Sequence, residues 1–256
     1  MRDYIIFTIA APMASFGMKY DPGEWRNSAN RPSKSGVLGL IAAALGIERE
    51  EQARFDALRD SLGFAVRADD PGQPAYDYHT IDKPIPKRNR RFATRADELA
   101  VPKTEIKTTL SMREFRVNMA ATPALWLTRL DVEAPVPLDA IADALRRPHF
   151  TLYAGRKSHP LMLPCAPEIV AADNVLDALD AYDKAKPGIE QFRNAYLPRD
   201  WRRAAPSQPT VYCETGDPSA TASLRVEQRR DMPESRTKWR FGVRQEAVIA
   251  ARGGKP

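Results

Sequence analysis

The stretch RPSKSGVLGLIAAALGI, residues 31–47, places a basic, hydroxyl-rich entry before an apolar run that stops at Gly46. The run is too short to cross a membrane. Ser33 or Ser35 serves as N-cap and Gly46 as the stop, which predicts a helix. Apolar residues fill most positions from Val37 to Ile47, and Gly39 with Ala42–Ala44 permits close approach, so the helix is expected to lie flat on a sheet. Upstream, the β-branched and aromatic segment Ile5–Ile9 predicts a strand buried on both faces, followed by the Pro-, Gly- and Asn-rich loop 11–33.

Downstream, residues 48–69 predict a helix over Glu50–Leu62 that turns at Gly63 into a strand, Phe64–Arg67. Residues Tyr76–Glu114 lack helical periodicity and are too long for a plain connector, which makes them functional or disordered. Ala124–Val132 predicts a strand and Leu138–Leu145 a short helix. HFTLYAGRKSHPL (149–161) predicts a strand broken at Gly155. Strand, helix, long insertion, strand, helix, strand is the order of a split β-α-β unit of the ferredoxin-like type. From about Val170 the pattern weakens into an α+β appendage with exposed linkers near Lys184–Gly188 and Glu214–Ala222.

The 256 residues carry 39 Lys and Arg against 33 Asp and Glu, a net charge of +6. Its distribution matters more than its sum. His79–Arg116 holds ten basic and five acidic residues, and Arg225–Arg244 holds seven and three. These two windows carry more than the whole net charge. Cys165 and Cys213 are far apart, with no metal-type partner at ligand spacing, which points away from a disulfide scaffold or zinc site and toward a reducing cytoplasm. Asp3 spoils the basic start a secretory leader would need, and no membrane association is expected.

The Lys34-Ser35 step lacks the glycines of a phosphate-binding P-loop. What it keeps is a helix N-terminus, with free N–H groups and a partial positive charge beside Lys34 and two hydroxyls, which suits a phosphate. KPIPKRNRRFATR (83–95) places Lys87, Arg88, Arg90, Arg91 and Arg95 within nine residues around Phe92, with no internal acid. Arg forks bind phosphates and, with Phe, stack on unpaired bases, a footprint for single-stranded nucleic acid. Arg113 belongs to the same window. In YAGRKSHP (153–160), Gly155 would let backbone approach a ligand beside Arg156 and Lys157. Each string also has a plain reading, as an N-cap, a solvated charge run or a surface turn. No Ser-His-Asp, HExxH or paired-carboxylate pattern is present. An acid/base pair built from His79 or His159 with Tyr78 or Tyr153 stays open as a metal-free endoribonuclease.

Together, APMASFG (11–17), residues 31–47, GFAVRAD (63–69), YDYHTIDKP (76–84), SMREFRVNMA (111–120), LWLT (125–128), LYAGRKSHPL (152–161) and RRDMPES (229–235) follow one another in an order that resembles the CasD-type subunits of type I-E Cascade, the CRISPR surveillance complex. The match spans roughly residues 1–165 and returns near 229–244. The resemblance implies an α+β RAMP protein: a ferredoxin-like or RRM-like core over 1–169, a thumb-like β-hairpin insertion over 79–111, and a C-terminal appendage over 170–256 that completes the fold. It implies a subunit without catalysis or cofactor that grips the 5′ handle of the CRISPR RNA, contacts the backbone and large subunits, and meets target DNA only through the complex. The RNA-contacting residues it supports are Lys34, Ser35, Lys87, Arg88, Arg90, Arg91, Arg113, Arg156 and Lys157. One departure is His159, where the family commonly has Cys after the GRKS-like string. A sister subtype uses a Tyr, a Lys and a His for metal-free RNA cleavage, whereas here Ser158 separates Lys157 from His159.

Overall fold

The computed structural model describes residues 1–18, 25–129, 134–185 and 209–250. Among the described residues, ten strands form one sheet. They are β1 (Arg2–Ile6), β2 (Ile9–Ala14), β3 (Trp25–Arg26), β4 (Leu62–Asp70), β5 (Gln73–Pro84), β6 (Ile106–Leu127), β7 (Glu168–Ala172), β8 (Thr210–Glu214), β9 (Arg225–Ser235) and β10 (Arg240–Ala250). Helices α1 (Lys34–Ala44), α2 (Gln52–Ser61), α3 (Arg95–Leu99), α4 (Leu138–Arg146) and α5 (Val175–Ala185) intervene.

The main path runs β7-β1-β6-β4-β8-β10-β9, and the 22-residue β6 also pairs with β2, β3 and β5. Within this path β1 and β4 are each antiparallel to the β6 strand between them, so they run parallel to each other. The connection from β1 to β4 passes through α1, and that from β6 to β7 passes through α4. Alternation along β1 explains the unbroken apolar run at its start. Ile5 and Phe7 face a core shared with Val37, Leu38 and Ile41 of α1 and Ile141 of α4. Tyr4 and Ile6 face the opposite core, with Trp126, Val175 and Leu179 of α5, and Val211 and Ile249. A sheet covered on both faces needs apolar residues at every position of its inner strands.

Helix α1 begins as expected: the Ser33 hydroxyl accepts a hydrogen bond from Gly36 N, and Gly46 closes the end at φ +69°. Several expected segments differ. The loop expected over 11–33 begins with strand, because β2 continues to Ala14 along Arg116–Ala121 of β6. Residues 149–161 form no regular strand; their only pairing is an isolated bridge, Tyr153 with Pro160. Instead His149 N and Phe150 N donate to Ala44 O and Ala43 O, so the segment serves the open carbonyls at the end of α1. The strand after α4 is β7, and the division expected at residue 169 falls inside it. Residues 214–222 are no exposed linker: Asp217 and Ser219 are buried, and Asp217 accepts the Tyr4 hydroxyl at 2.6 Å. The linker expected at 184–188 lies largely outside the described residues.

Residues 76–114, left between function and disorder by the sequence, are regular over much of their length. β5 and β6 pair through twelve residues each, from Gln73 with Val117 to Pro84 with Ile106, as a hairpin whose tip carries α3. Strands β8 and β10 then extend the sheet beyond β4.

Candidate nucleic-acid interface

The base of this hairpin positions the cations. Strand β3 runs parallel to β6 with Trp25 beside Met112 and Arg26 beside Arg113. On the other side of β6, β5 places Asp77 opposite Arg113 and Tyr78 opposite Met112. Because cross-strand partners share a face, Arg26, Arg113 and Asp77 lie in one row and Trp25, Met112 and Tyr78 in a row on the reverse face. Arg156 joins the first row from the 153–160 turn. Its Nη1 lies 3.7 Å from Asp77 Oδ2, and its Nη2 donates to Glu114 O at 3.3 Å.

Arg156 pairs with Asp77, Arg113 lies opposite Asp77 in register with Arg26 on the next strand, and Arg113 Nε is buried with no hydrogen-bond partner among the described residues. Burial, then the like charges of Arg113 and Arg26, push the Arg156 pKa down against the pull of Asp77. An incoming anion would relieve that like-charge repulsion. On the reverse face Trp25, Tyr76 and Tyr78 are each more than half exposed, and Trp25 meets Tyr76 edge-on with centroids 6.4 Å apart. Exposed rings offer stacking surfaces to unpaired bases, here on the face opposite the arginine row.

Further out on the hairpin, Lys87 and Arg90 both bind Glu105, at 2.7 and 2.5 Å, and hold its carboxyl below the usual range. Arg88 and Arg91 are exposed, as is Lys157. Of the expected residues, then, Arg113 and Arg156 come together, Arg88, Arg91 and Lys157 are free to reach a ligand, and Lys87 and Arg90 are partly occupied.

Lys34 requires a correction. It is buried at 2% exposure, and its ammonium donates to Leu62 O at 2.8 Å and Glu214 Oε1 at 2.9 Å. The helix mouth does hold an anion, but the anion is internal: Lys34 N donates to Asp231 Oδ2 at 2.9 Å. Asp231 in turn binds Arg244 through both oxygens, at 2.7 and 3.0 Å, and Arg229 at 3.2 Å. Glu246, fully buried, receives Arg31 and Arg244, each at 2.5 Å. Two cations of the second basic window, Arg229 and Arg244, are thus consumed inside the fold, while Arg225, Arg230, Lys238 and Arg240 are exposed. Ser35 is half-buried and its hydroxyl meets that of Ser33 at 3.0 Å.

Gly155 also differs from its expected role. Its φ is +87°, and a Cβ there would lie 1.9 Å from Ser15 O, so its bareness serves packing against the end of β2. His159 is buried, its Nδ1 has no partner, and burial followed by Arg156 holds its pKa below the ordinary histidine range. His79 is exposed with Nε2 4.0 Å from Asp77 Oδ2. As consecutive strand residues, Tyr78 and His79 point to opposite faces.

Sequence reading missed Arg26, Asp77 and the aromatic row. The alternation Tyr76-Asp77-Tyr78-His79 was a usable strand signal for half of it. Strand β3 was not legible, because two residues in a loop-like stretch gain their structure only from a partner some 87 positions away. Among the described residues, no group of His, Cys, Asp and Glu could hold a metal ion, and no helix is long and apolar enough to cross a membrane.

A family model described as CRISPR-associated protein (Cas_Cas5) matches residues 4–246. The chain belongs to the CRISPR-associated Cas5 family. A Cas5 relative, the CRISPR system Cascade subunit CasD of Escherichia coli (strain K12), is 33% identical over 172 residues, covering 64% of this chain and 70% of CasD. A solved chain from a CRISPR RNA-guided surveillance complex is 25% identical with a TM-score of 0.60, across 97% of this chain and 90% of that one. A second solved structure, titled as a Cas protein, superposes with a TM-score of 0.54 over 99% of this chain and all of its own, at 20% identity, which speaks to the Cas5 fold alone.

Proposed function

We propose that this Cas5-family chain is the Cascade subunit that grips the 5′ handle of the CRISPR RNA, by binding and without catalysis. The observation that carries the reading is the row of Arg26, Arg113 and Arg156 beside Asp77, with the exposed rings of Trp25, Tyr76 and Tyr78 on the other face of the same strands. Arg forks position phosphates and rings accept bases, the combination single-stranded RNA demands. The order β7-β1-β6-β4 with α1 and α4 in the crossovers supports a ferredoxin-like core over 1–169, completed by 170–256. In this reading the β5–β6 hairpin is the thumb: its exposed tip, with Arg88 and Arg91, lies between RNA and a backbone subunit, and the large subunit docks nearby. Target DNA is met only through the assembled complex, in the cytoplasm.

The relatives' names support the assembly: CasD is named as a Cascade subunit, and the solved chain belongs to an RNA-guided surveillance complex. A second reading, metal-free endoribonuclease, draws on one observation, the approach of exposed His79 to Asp77 beside the arginines. Incubating the purified chain with synthetic repeat RNA in EDTA separates the two. Binding alone predicts intact RNA, bound more than about tenfold less tightly by Arg113→Glu, since a charge-assisted contact is lost and a repulsive one gained. Cleavage abolished by His79→Ala would replace the binding reading, and undiminished affinity in Arg113→Glu would move the RNA elsewhere.

A further inference from the structure

A cleft of about 520 Å³ opens between α1 and the β9–β10 hairpin, in the size range of small-ligand sites. Its floor includes Gly39 and Ala43 of α1, and its walls include Phe55, Trp239 and Phe241. Arg49, Arg230 and Arg236 line it as well. Two of these guanidiniums are already stacked on rings, Arg49 over Trp239 and Arg236 over Phe55, each with its carbon 4.6 Å from the ring centroid. The carboxylate in the lining, Asp231, is already engaged by Arg244, Arg229 and Lys34 N; Arg236 donates to Glu48 O and feels Glu50 and Glu51. Ser33, Ser35 and Ser235 add hydroxyls that can both donate and accept.

The cleft neighbours the arginine row through Ser15 and Gly155. Ser15 and Gly155 line one end, and the Ser15 hydroxyl and Arg156 Nη2 both donate to the same carbonyl, Glu114 O. From these observations we propose that the cleft is a nucleotide subsite, taking one unstacked nucleotide of the same RNA strand that crosses the arginine row. A flat base suits the space between Trp239 and the small residues Gly36, Gly39 and Ala43 of α1, its mixed donor and acceptor edge suits the hydroxyls, and its phosphate suits the arginines. An acidic protein segment would use the arginines but leave hydroxyl acceptors and stacked guanidinium planes idle. The inference rests on the RNA-binding reading above and deepens it.

Gly39 provides the test. A Cβ there meets nothing within 4 Å, and replacing a mid-helix glycine favours the helix, so Gly39→Leu fills the cleft without strain. Synthetic handle RNA, dye-labelled and made with a single abasic site moved through it position by position, is titrated against the wild-type chain and Gly39→Leu, with thermal melting as the folding control. The expected result is one abasic position that weakens wild-type binding about five- to a hundredfold, the range of one stacked base. In Gly39→Leu the affinity for intact RNA falls by a similar factor and the penalty at that position disappears. Trp239→Asn, which keeps a residue suited to its φ of +50°, should give a partial version of both effects. Wild-type affinity in Gly39→Leu, with Arg113→Glu still impaired, overturns the subsite while leaving the RNA-binding reading intact. If Gly39→Leu binds RNA normally but fails to join the other Cascade subunits, the cleft holds protein and the proposal is likewise overturned. Loss of RNA sensitivity to both Arg113→Glu and Gly39→Leu would break the underlying reading itself.

Discussion

The seam around Asp231 and the hairpin base around Arg113 are built from similar residues and end in opposite electrostatic states. At the seam, Arg31, Lys34, Arg229 and Arg244 meet Glu214, Glu227, Asp231 and Glu246, four cations against four carboxylates, largely buried. At the hairpin base, the one carboxylate contact of Arg26, Arg113 and Arg156 among the described residues is that of Arg156 with Asp77. Charge density in a sequence window therefore does not separate cations that hold a fold from cations left outside its buried ion pairs. What separates them is whether distant strands return carboxylates to them. The seam joins α1 to β8–β10 and ties residues 209–250 to the core, while Arg26, Arg113 and Arg156 take no part in it.

The largest effect is expected on the seam side. Glu246→Ala would leave Arg31 and Arg244 buried without their shared carboxylate, and breaking a buried pair by removing one partner costs about 3–5 kcal/mol. Denaturant unfolding should show that loss as a lower midpoint with little change in slope. RNA affinity of the folded fraction should stay within about twofold, well under one tenfold step of about 1.4 kcal/mol. A stable Glu246→Ala variant with weakened RNA binding would erase the distinction between the regions.

Acid should sharpen it. Burial alone would raise the Asp231 carboxyl, but Arg244, Arg229 and the Lys34 N–H outweigh it and hold the pKa below the ordinary aspartate value. A depressed carboxylate stabilises the fold fully above its unfolded pKa of about 3.9, and that contribution is lost as pH falls through the folded value. Stability of the wild-type chain should thus decline below about pH 4, and Asp231→Asn should flatten that decline while lowering stability at neutral pH. An identical acid profile in the two proteins would place the titrating group elsewhere.

A smaller effect is expected for Lys34→Met. It leaves Leu62 O and one Glu214 oxygen without their donor in a buried site, about 1–3 kcal/mol by the cost of unsatisfied groups. Melting should report this, and the salt dependence of RNA binding should not change.

Lys34 also marks where sequence reading succeeds and where it stops. The Ser33 cap, the flat apolar face of α1 and the stop at Gly46 are local, and each is written in adjacent residues. The anion preference of the helix mouth was equally legible. The identity of the anion was not, because Asp231 arrives from 197 positions away. The same limit explains the site. Arg113 and Arg156 could be singled out as basic residues, yet their meeting depends on a turn packed through Gly155 onto Ser15, and Arg26 depends on the two-residue β3. The hairpin was visible as a segment too long to be a connector. Its regularity required the twelve-pair ladder to β6, whose alternation is blurred because both hairpin faces are exposed and both carry polar and aromatic residues.

The central claim, that the hairpin base and not the helix mouth neutralises RNA phosphates, is tested most directly by the salt dependence of handle RNA binding. For single strands each phosphate contact contributes about 0.7 to the slope of log K against log salt concentration. Replacing Arg26, Arg113 and Arg156 together with Ala should flatten that slope by about 2, three contacts at about 0.7 each, while Lys34→Ala leaves it as in the wild type. An unchanged slope in the triple variant, or a flattened one in Lys34→Ala, would contradict the account.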